Sequence, residues 1–185
     1  MTKLIFRTTL KCDAYNKTRK GAFLIKALLV AHGHWLAVIY HFETLQMKEL
    51  IELLHSSSCS CVIRSKGERR TYFGGGISDL LALYRSDEHF LQGAEVADKV
   101  VGKAAASLMV CGGVSRVYAD LMSENAQSLF RAVGVPCSYS TLVPYIKRRD
   151  LQGMCPMESL TLDAVDAEEA VQRILAFLDR KNKRV

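Results

Sequence analysis

The stretch Ala94–Gly113, AEVADKVVGKAAASLMVCGG, decides the fold of this chain. It predicts a short strand that runs directly into a helix rich in small residues. Apolar residues recur at helical spacing and form one face of that helix: Val100, Val101, Ala104, Ala105, Leu108 and Met109. The alanines let the helix lie close against a neighbouring layer, for which a β-sheet is the natural candidate.

The predicted start of this helix carries four residues suited to ligand binding: Asp98, Lys99, Gly102 and Lys103. Lys99 and Lys103 are four positions apart and would share one helical face. Free N–H groups at a helix N-terminus favour an anion at the same place. These residues predict a ligand site, but they do not indicate which reaction, if any, takes place there. The alternative is that Asp98 only caps the helix and both lysines are solvated.

From Met47 onward, predicted strands alternate with amphipathic helices. A hairpin is expected first, and Gly74–Gly76 breaks its second strand. We interpret this triplet as a turn, although glycines can also let a phosphate approach backbone N–H groups. The predicted strands outside the opening stretch are Cys59–Arg64, Arg69–Phe73, Val114–Met122 and an extended Pro136–Val143. The pattern indicates one α/β domain, a sheet with helices on both faces, over residues 47–185.

Residues 1–46 differ from the rest in charge and are interpreted as an N-terminal extension of this domain. They hold seven Lys/Arg against two Asp/Glu, whereas residues 47–185 hold 18 against 17. One hypothesis is a start codon assigned too early, with Met47 as the natural start. The alternative is a weak membrane anchor formed by residues 21–42, although Lys26 within it opposes insertion. A spanning segment is not expected.

Composition narrows the possible partners and the compartment. The body is nearly neutral, so it lacks the clustered positive charge of a nucleic-acid-binding surface. Six cysteines without a C-x-x-C pair or an export signal of standard layout fit reduced thiols in the cytoplasm. The expected partner is a small molecule, and a homo-oligomer is a further possibility.

A second candidate cluster follows the predicted strand Val114–Met122. Ser123 and Glu124 begin the next helix. In open α/β sheets, ligands bind where the carboxyl ends of the strands meet the starts of the following helices. Ser123 is a candidate ligand-binding residue and Glu124 a candidate catalytic residue. The alternative is ordinary helix capping, with Glu124 favourable in the first turn.

The third cluster combines Arg149 and Asp150, as ligand-binding candidates, with Cys155 and Glu158, as catalytic candidates. Pro156 fits the first position of a helix, which makes Cys155 its N-cap. A thiol there lies near the positive helix end, which lowers its pKa and raises its reactivity. Glu158 has the capping-box spacing, from which a carboxylate reaches back to the cap N–H. The alternative is that this pair only starts a helix.

Several of these motifs together resemble a bacterial family of domains of unknown function with a cytidine-deaminase-like fold. The resemblance spans about residues 47–180 and rests on VADKVVGKAAA (96–106), Ser123-Glu124, VPYI (143–146), Arg149-Asp150 and GMCPME (153–158). It implies a three-layer α/β/α sandwich with a mixed sheet.

The zinc chemistry of deaminases is not expected here. Those enzymes need His or Cys before x-Glu at a helix start, followed by Pro-Cys-x-x-Cys. The chain has Asp98-Lys99 at the first place, and Pro136-Cys137 lacks the second thiol. We therefore expect no metal and no cofactor. The favoured function is binding of a nucleotide-like or phosphorylated small molecule, with or without non-zinc catalysis; the alternative is a non-catalytic binding or regulatory module.

Overall fold

A mixed five-stranded sheet forms the centre of the structure, a computed structural model that describes residues 33–182. The strands are β1 (Cys61–Ser65), β2 (Glu68–Tyr72), β3 (Glu95–Val101), β4 (Arg116–Ser123) and β5 (Cys137–Val143). The helices are α1 (Gly33–Ser56), α2 (Ser78–Ser86), α3 (Glu88–Leu91), α4 (Lys103–Gly112), α5 (Glu124–Val133), α6 (Pro156–Thr161) and α7 (Ala167–Asn182).

The strand order is β2-β1-β3-β4-β5. Strand β1 runs antiparallel to both β2 and β3, whereas β3, β4 and β5 are parallel. Helices α4 and α5 make the crossovers between the parallel strands, as such connections require. The carboxyl ends of β3, β4 and β5 therefore lie at one edge of the sheet.

Helices pack on both faces of this sheet. Alternate residues of β3 separate the two sides: Val96 faces the larger apolar core with α4, and Ala97 faces α1. On the α1 side, Met47, Leu50 and Leu54 are buried. The prediction of an α/β fold with a mixed sheet and helices is confirmed.

Helix α1 runs through the position where the sequence predicts a boundary. Its described range is Gly33–Ser56, so Gln46 and Met47 lie in the same helix. Residues 1–32 lie outside the described part of the chain, and with them most of the proposed anchor, residues 21–42. Within residues 33–182, no helix combines the length and apolar character needed to cross a membrane.

The boundary between β3 and α4 differs from the prediction. Strand β3 extends through Val101 and α4 begins at Lys103, so Asp98, Lys99 and Val100 are strand residues. Pairing with β4 and the β-branched valines favours the extended form over the helical spacing. The prediction that Lys99 and Lys103 share one helical face is therefore wrong.

Helix α5 begins where the sequence predicts and ends at a glycine. Ser123 is its N-cap, and the Ser123 hydroxyl accepts the Ala126 N–H at 3.2 Å. Gly134 ends the helix with φ of +69°, in the left-handed region that favours glycine.

Candidate functional site

A cavity of about 630 Å³ opens at the carboxyl end of β3, a volume within the usual range for small-molecule sites. Its walls come from the start of β1, the Gly74–Gly76 turn, the start of α4, and the segment that follows β5 and leads into α6. This is the edge of a parallel sheet at which ligands commonly bind.

Seven of the predicted site residues line this cavity. They come from β3 and its end, from the segment after β5 and from the start of α6, so folding joins two clusters that are distant in sequence: Asp98, Lys99, Gly102, Arg149, Asp150, Cys155 and Glu158. Ser123, Glu124 and Lys103 are not among the lining residues.

Ser123 and Glu124 are not part of the cavity wall. Ser123 is fully buried, and its hydroxyl is engaged as the cap of α5. Glu124 is exposed in the first turn of that helix. The capping alternative describes this pair better than a place in the cavity.

The side chain of Lys103 points to the protein's own backbone. Its Nζ donates to the carbonyl oxygens of Leu162 and Ala164, at 2.7 and 2.8 Å. Both carbonyls follow α6, so Lys103 ties the start of α4 to the end of α6. The expected pairing of Lys103 with Lys99 around one anion is not formed.

The carboxyl group of Glu158 lies at the N-terminus of α4. Its Oε2 atom accepts the N–H of Lys103 at 2.7 Å, although the side chain is only 2% exposed. The predicted capping box is wrong, because the Cys155 N–H donates to the Ile146 carbonyl at 2.8 Å instead. Tertiary packing brings Glu158 to a helix other than its own, where the helix dipole favours a carboxylate.

The second oxygen of this carboxylate is unsatisfied. Glu158 Oε1 is buried and has no hydrogen-bond partner among the residues that the structure describes. Glu158 also lines the cavity. An unpaired buried acceptor destabilises a protein by about 1–3 kcal/mol, so a buried charged group is normally satisfied.

Asp98 forms the other buried carboxyl group of the cavity. It lies opposite Cys61 in the antiparallel register of β1 and β3, and the two side chains are hydrogen-bonded. Asp98 Oδ1 also accepts the N–H of Val100 at 2.9 Å. Burial raises the pKa of Asp98 to about 7, against an ordinary value of 3.8.

Cys61 is a cavity residue that the sequence analysis did not single out. Burial, followed by the charge of Asp98, raises the pKa of the Cys61 thiol well above its ordinary value. Cys61 is therefore a protonated donor to Asp98 at neutral pH. No local motif marks this pair, because it depends on the register between two strands.

The glycine triplet is part of the site as well. The Gly74 N–H donates to Asp79 Oδ2 at 2.7 Å, and a Cβ on Gly74 would overlap that carboxylate. The guanidinium of Arg149 lies against Gly75 where a Cβ would stand. The sequence predicts only a turn here, whereas in the structure two charged side chains approach its backbone closely.

Charge is distributed unevenly between the mouth and the floor of the cavity. The mouth carries exposed Lys147, Arg148 and Arg149, of which Arg148 pairs with Asp150 at 2.7 Å. Within the described chain, the side chains of Lys147, Arg149 and Lys99 form no hydrogen bond or ion pair. The floor carries the buried carboxyl groups of Asp98 and Glu158.

Cys155 is a free, half-buried thiol in the cavity wall. It is the N-cap of α6, as predicted, but its side chain makes no capping hydrogen bond. Cys59, by contrast, is buried in the core beneath α1. Cys155 and Cys61 are thus the two thiols that line the cavity.

No metal cluster is found in the part of the chain that the structure describes: no three His, Cys, Asp or Glu side chains are grouped to hold an ion.

Comparisons with known proteins agree on one family. A family model described as "Domain of unknown function (DUF1893)" matches residues 49–178. The crystal structure of a DUF1893 family protein, TM1506, from Thermotoga maritima is 27% identical, with a TM-score of 0.65. The match covers 70% of this chain and 88% of that one. No curated protein matches the sequence. Because the family model covers well over half of the sequence, including both clusters that form the cavity, this chain belongs to the DUF1893 family.

Proposed function

We propose that this protein binds a phosphorylated small molecule of nucleotide-like size in the cavity at the carboxyl end of β3. The volume of about 630 Å³ accommodates such a ligand. The cations at the mouth supply the charge that a phosphate needs.

The observation that carries the proposal is the contact between Arg149 and Gly75. The guanidinium lies against the glycine turn and has no acidic partner within residues 33–182. The N–H groups of Gly75 and Gly76 are likewise unused by hydrogen bonds to the described residues. A phosphate at this place receives charge-assisted hydrogen bonds from Arg149 and further donors from the turn. The N-terminus of α4 is not required, since Glu158 already occupies it.

Two cavity residues have chemistry beyond binding. Asp98, with a pKa of about 7, can accept or donate a proton near neutral pH. Cys155 is an accessible thiol in the same cavity and can act as a nucleophile. The proposal therefore includes non-zinc catalysis, and the alternative is a non-catalytic binding or regulatory module. Turnover of a compound that binds distinguishes them: Cys155→Ala stops turnover and spares binding in an enzyme, whereas a binding module shows no turnover with or without the thiol.

A cytidine-deaminase-like architecture is part of the same proposal. The mixed sheet with helices on both faces supports it. Shared architecture does not imply shared chemistry, so deamination is not proposed. A cytoplasmic location and a homo-oligomer stay predictions.

Thermal unfolding tests the proposed ligand class. We expect the Tm to rise with at least one member of a panel of inorganic phosphate, sugar phosphates and nucleoside monophosphates. Arg149→Ala should abolish the rise. Arg69→Ala is the matched control, because Arg69 is an exposed arginine on β2 that does not line the cavity. A panel without effect, or an Arg149→Ala protein that responds like the wild type, contradicts the proposal.

A further inference from the structure

We infer that the ligand carries an N–H-donating nitrogen group, such as an amino or amidino group, that binds Glu158 Oε1 at the cavity floor. This inference rests on the proposed function, which places the phosphate at the mouth. It narrows the ligand to phosphorylated compounds with a nitrogen donor at the far end.

The first support is the unsatisfied oxygen of Glu158. The side chain is 2% exposed, its Oε2 is used by the Lys103 N–H, and its Oε1 is buried without a partner among the described residues. Because Glu158 lines the cavity, a bound molecule lies beside this side chain. A ligand that donates to Oε1 removes the cost of leaving the acceptor unpaired.

The second support is the position of Glu158. Its carboxylate accepts the first N–H of α4, at the end of a helix where the dipole favours an acceptor. An ionised carboxylate only accepts hydrogen bonds, so the complementary ligand atom must be a donor. The side chain of Lys103 does not fill this role, since its Nζ donates to the carbonyls of Leu162 and Ala164.

The third support is the close approach of Gly102 to Glu158. A Cβ on Gly102 would overlap Glu158 Oε2 and would lie 3.0 Å from Ile146 Cγ1. The backbone of Gly102 is extended, with φ of −97° and ψ of 178°, so glycine is not needed there for its conformation. The missing side chain leaves the space in which Glu158 approaches α4.

The polarity of the cavity sets the orientation of the ligand. Unpaired cations stand at the mouth, and buried carboxyl groups form the floor. A phosphate at the floor would face Asp98 and Glu158, and a cationic group at the mouth would face Arg149 and Lys147. The favourable arrangement has the phosphate outside and the nitrogen group inside.

The test compares ligand pairs that share their phosphate and differ only by an amino group in place of hydrogen: AMP with purine riboside 5′-monophosphate, CMP with 2-pyrimidinone riboside 5′-monophosphate, and glucosamine 6-phosphate with 2-deoxyglucose 6-phosphate. Calorimetry on the full-length protein measures each affinity. In at least one pair, we expect the amino-bearing member to bind at least tenfold more tightly. Glu158→Gln should remove that preference while inorganic phosphate binds as before, because an amide NH₂ then replaces the acceptor Oε1. The Tm of this variant without ligand verifies that it folds.

Each outcome separates this inference from the proposed function. Equal affinity within every pair that binds, or a preference that Glu158→Gln retains, overturns the inference and leaves phosphate binding intact. Binding of inorganic phosphate without binding of any paired compound also overturns it. If Glu158→Gln does not fold, Glu158→Asp, which keeps the acceptor but shortens its reach, must weaken the preference. If neither phosphate nor any paired compound binds, the proposed function itself fails.

Discussion

Glu158 accepts a hydrogen bond from the backbone N–H of Lys103, at 2.7 Å and across 55 positions of the chain. This contact joins α6 to the start of α4 and brings a carboxylate into the cavity. It also explains why residue 102 is glycine, because any Cβ there would overlap the same carboxylate.

Replacement of Gly102 tests that close approach. Gly102→Ala should lower the free energy of unfolding by about 1–3 kcal/mol, since the extended backbone accepts alanine, while the overlap with Glu158 and the close approach to Ile146 oppose it. Chemical denaturation measures the change. In a Glu158→Ala background, the same substitution should cost at least about 1 kcal/mol less. Additive effects of the two substitutions would contradict the explanation.

Asp98 should make stability depend on pH. Between about pH 4 and pH 7, the unfolded chain has lost the Asp98 proton while the folded protein retains it, because the folded pKa is about 7. This group therefore lowers stability as the pH rises through that window, by up to about 4 kcal/mol, and adds no further slope above it.

The substitution Asp98→Asn removes this titration and keeps an acceptor for the Val100 N–H. Relative to the wild type, it should become progressively more stable from pH 4 to pH 7 and remain so at pH 8. Denaturation curves across this range measure the difference. Asp163→Asn, at an exposed position, should leave the pH profile unchanged. If the wild type instead gained stability relative to Asp98→Asn between pH 4 and pH 7, the result would be inconsistent with a raised pKa of Asp98.

Cys155 should be the most reactive of the thiols within the described chain. It is half-buried and lines the cavity, whereas burial raises the pKa values of both Cys61 and Cys137. Iodoacetamide at pH 7.5 should modify Cys155 at least tenfold faster than Cys61, as measured by mass spectrometry of peptides. Similar rates at Cys155 and Cys61 would show that Cys61 is not the buried, protonated thiol described above.

Substitutions of Lys99 and Lys103 should change different properties, ligand binding for Lys99 and stability for Lys103. Lys103→Met should lower the free energy of unfolding by about 1–3 kcal/mol, because its Nζ donates to two carbonyl groups that would lose their partner. Lys99→Met should change stability by less than about 0.5 kcal/mol, since the Lys99 side chain has no partner within residues 33–182. We expect the Lys99 variant to bind phosphate more weakly and the Lys103 variant to bind it as the wild type does. Calorimetry and denaturation of both variants check this, and a reversed pattern would refute it.

Local sequence determined those features whose causes lie within a few residues. Ser123 caps α5 through its own hydroxyl, and Gly134 ends that helix in a conformation that glycine adopts readily. The alternation of predicted strands with amphipathic helices likewise indicated an α/β fold, a sheet with helices on both faces. The cluster of Arg149, Asp150, Cys155 and Glu158 was recognisable because its members are close together in the chain.

Tertiary structure decided the features that depend on partners far away in the chain. Pairing with β4 extended β3 through Val101, against the helical spacing of the same residues. Strand register placed Cys61 against Asp98, and packing placed Arg149 against Gly75 and Glu158 at the start of α4. Short-range propensities are worth tenths of a kcal/mol per residue, whereas strand pairing, burial of a carboxyl group and a charged hydrogen bond are worth several times more. The fold class could therefore be predicted from the sequence pattern, whereas the arrangement of charges in the cavity depends on tertiary contacts between distant segments.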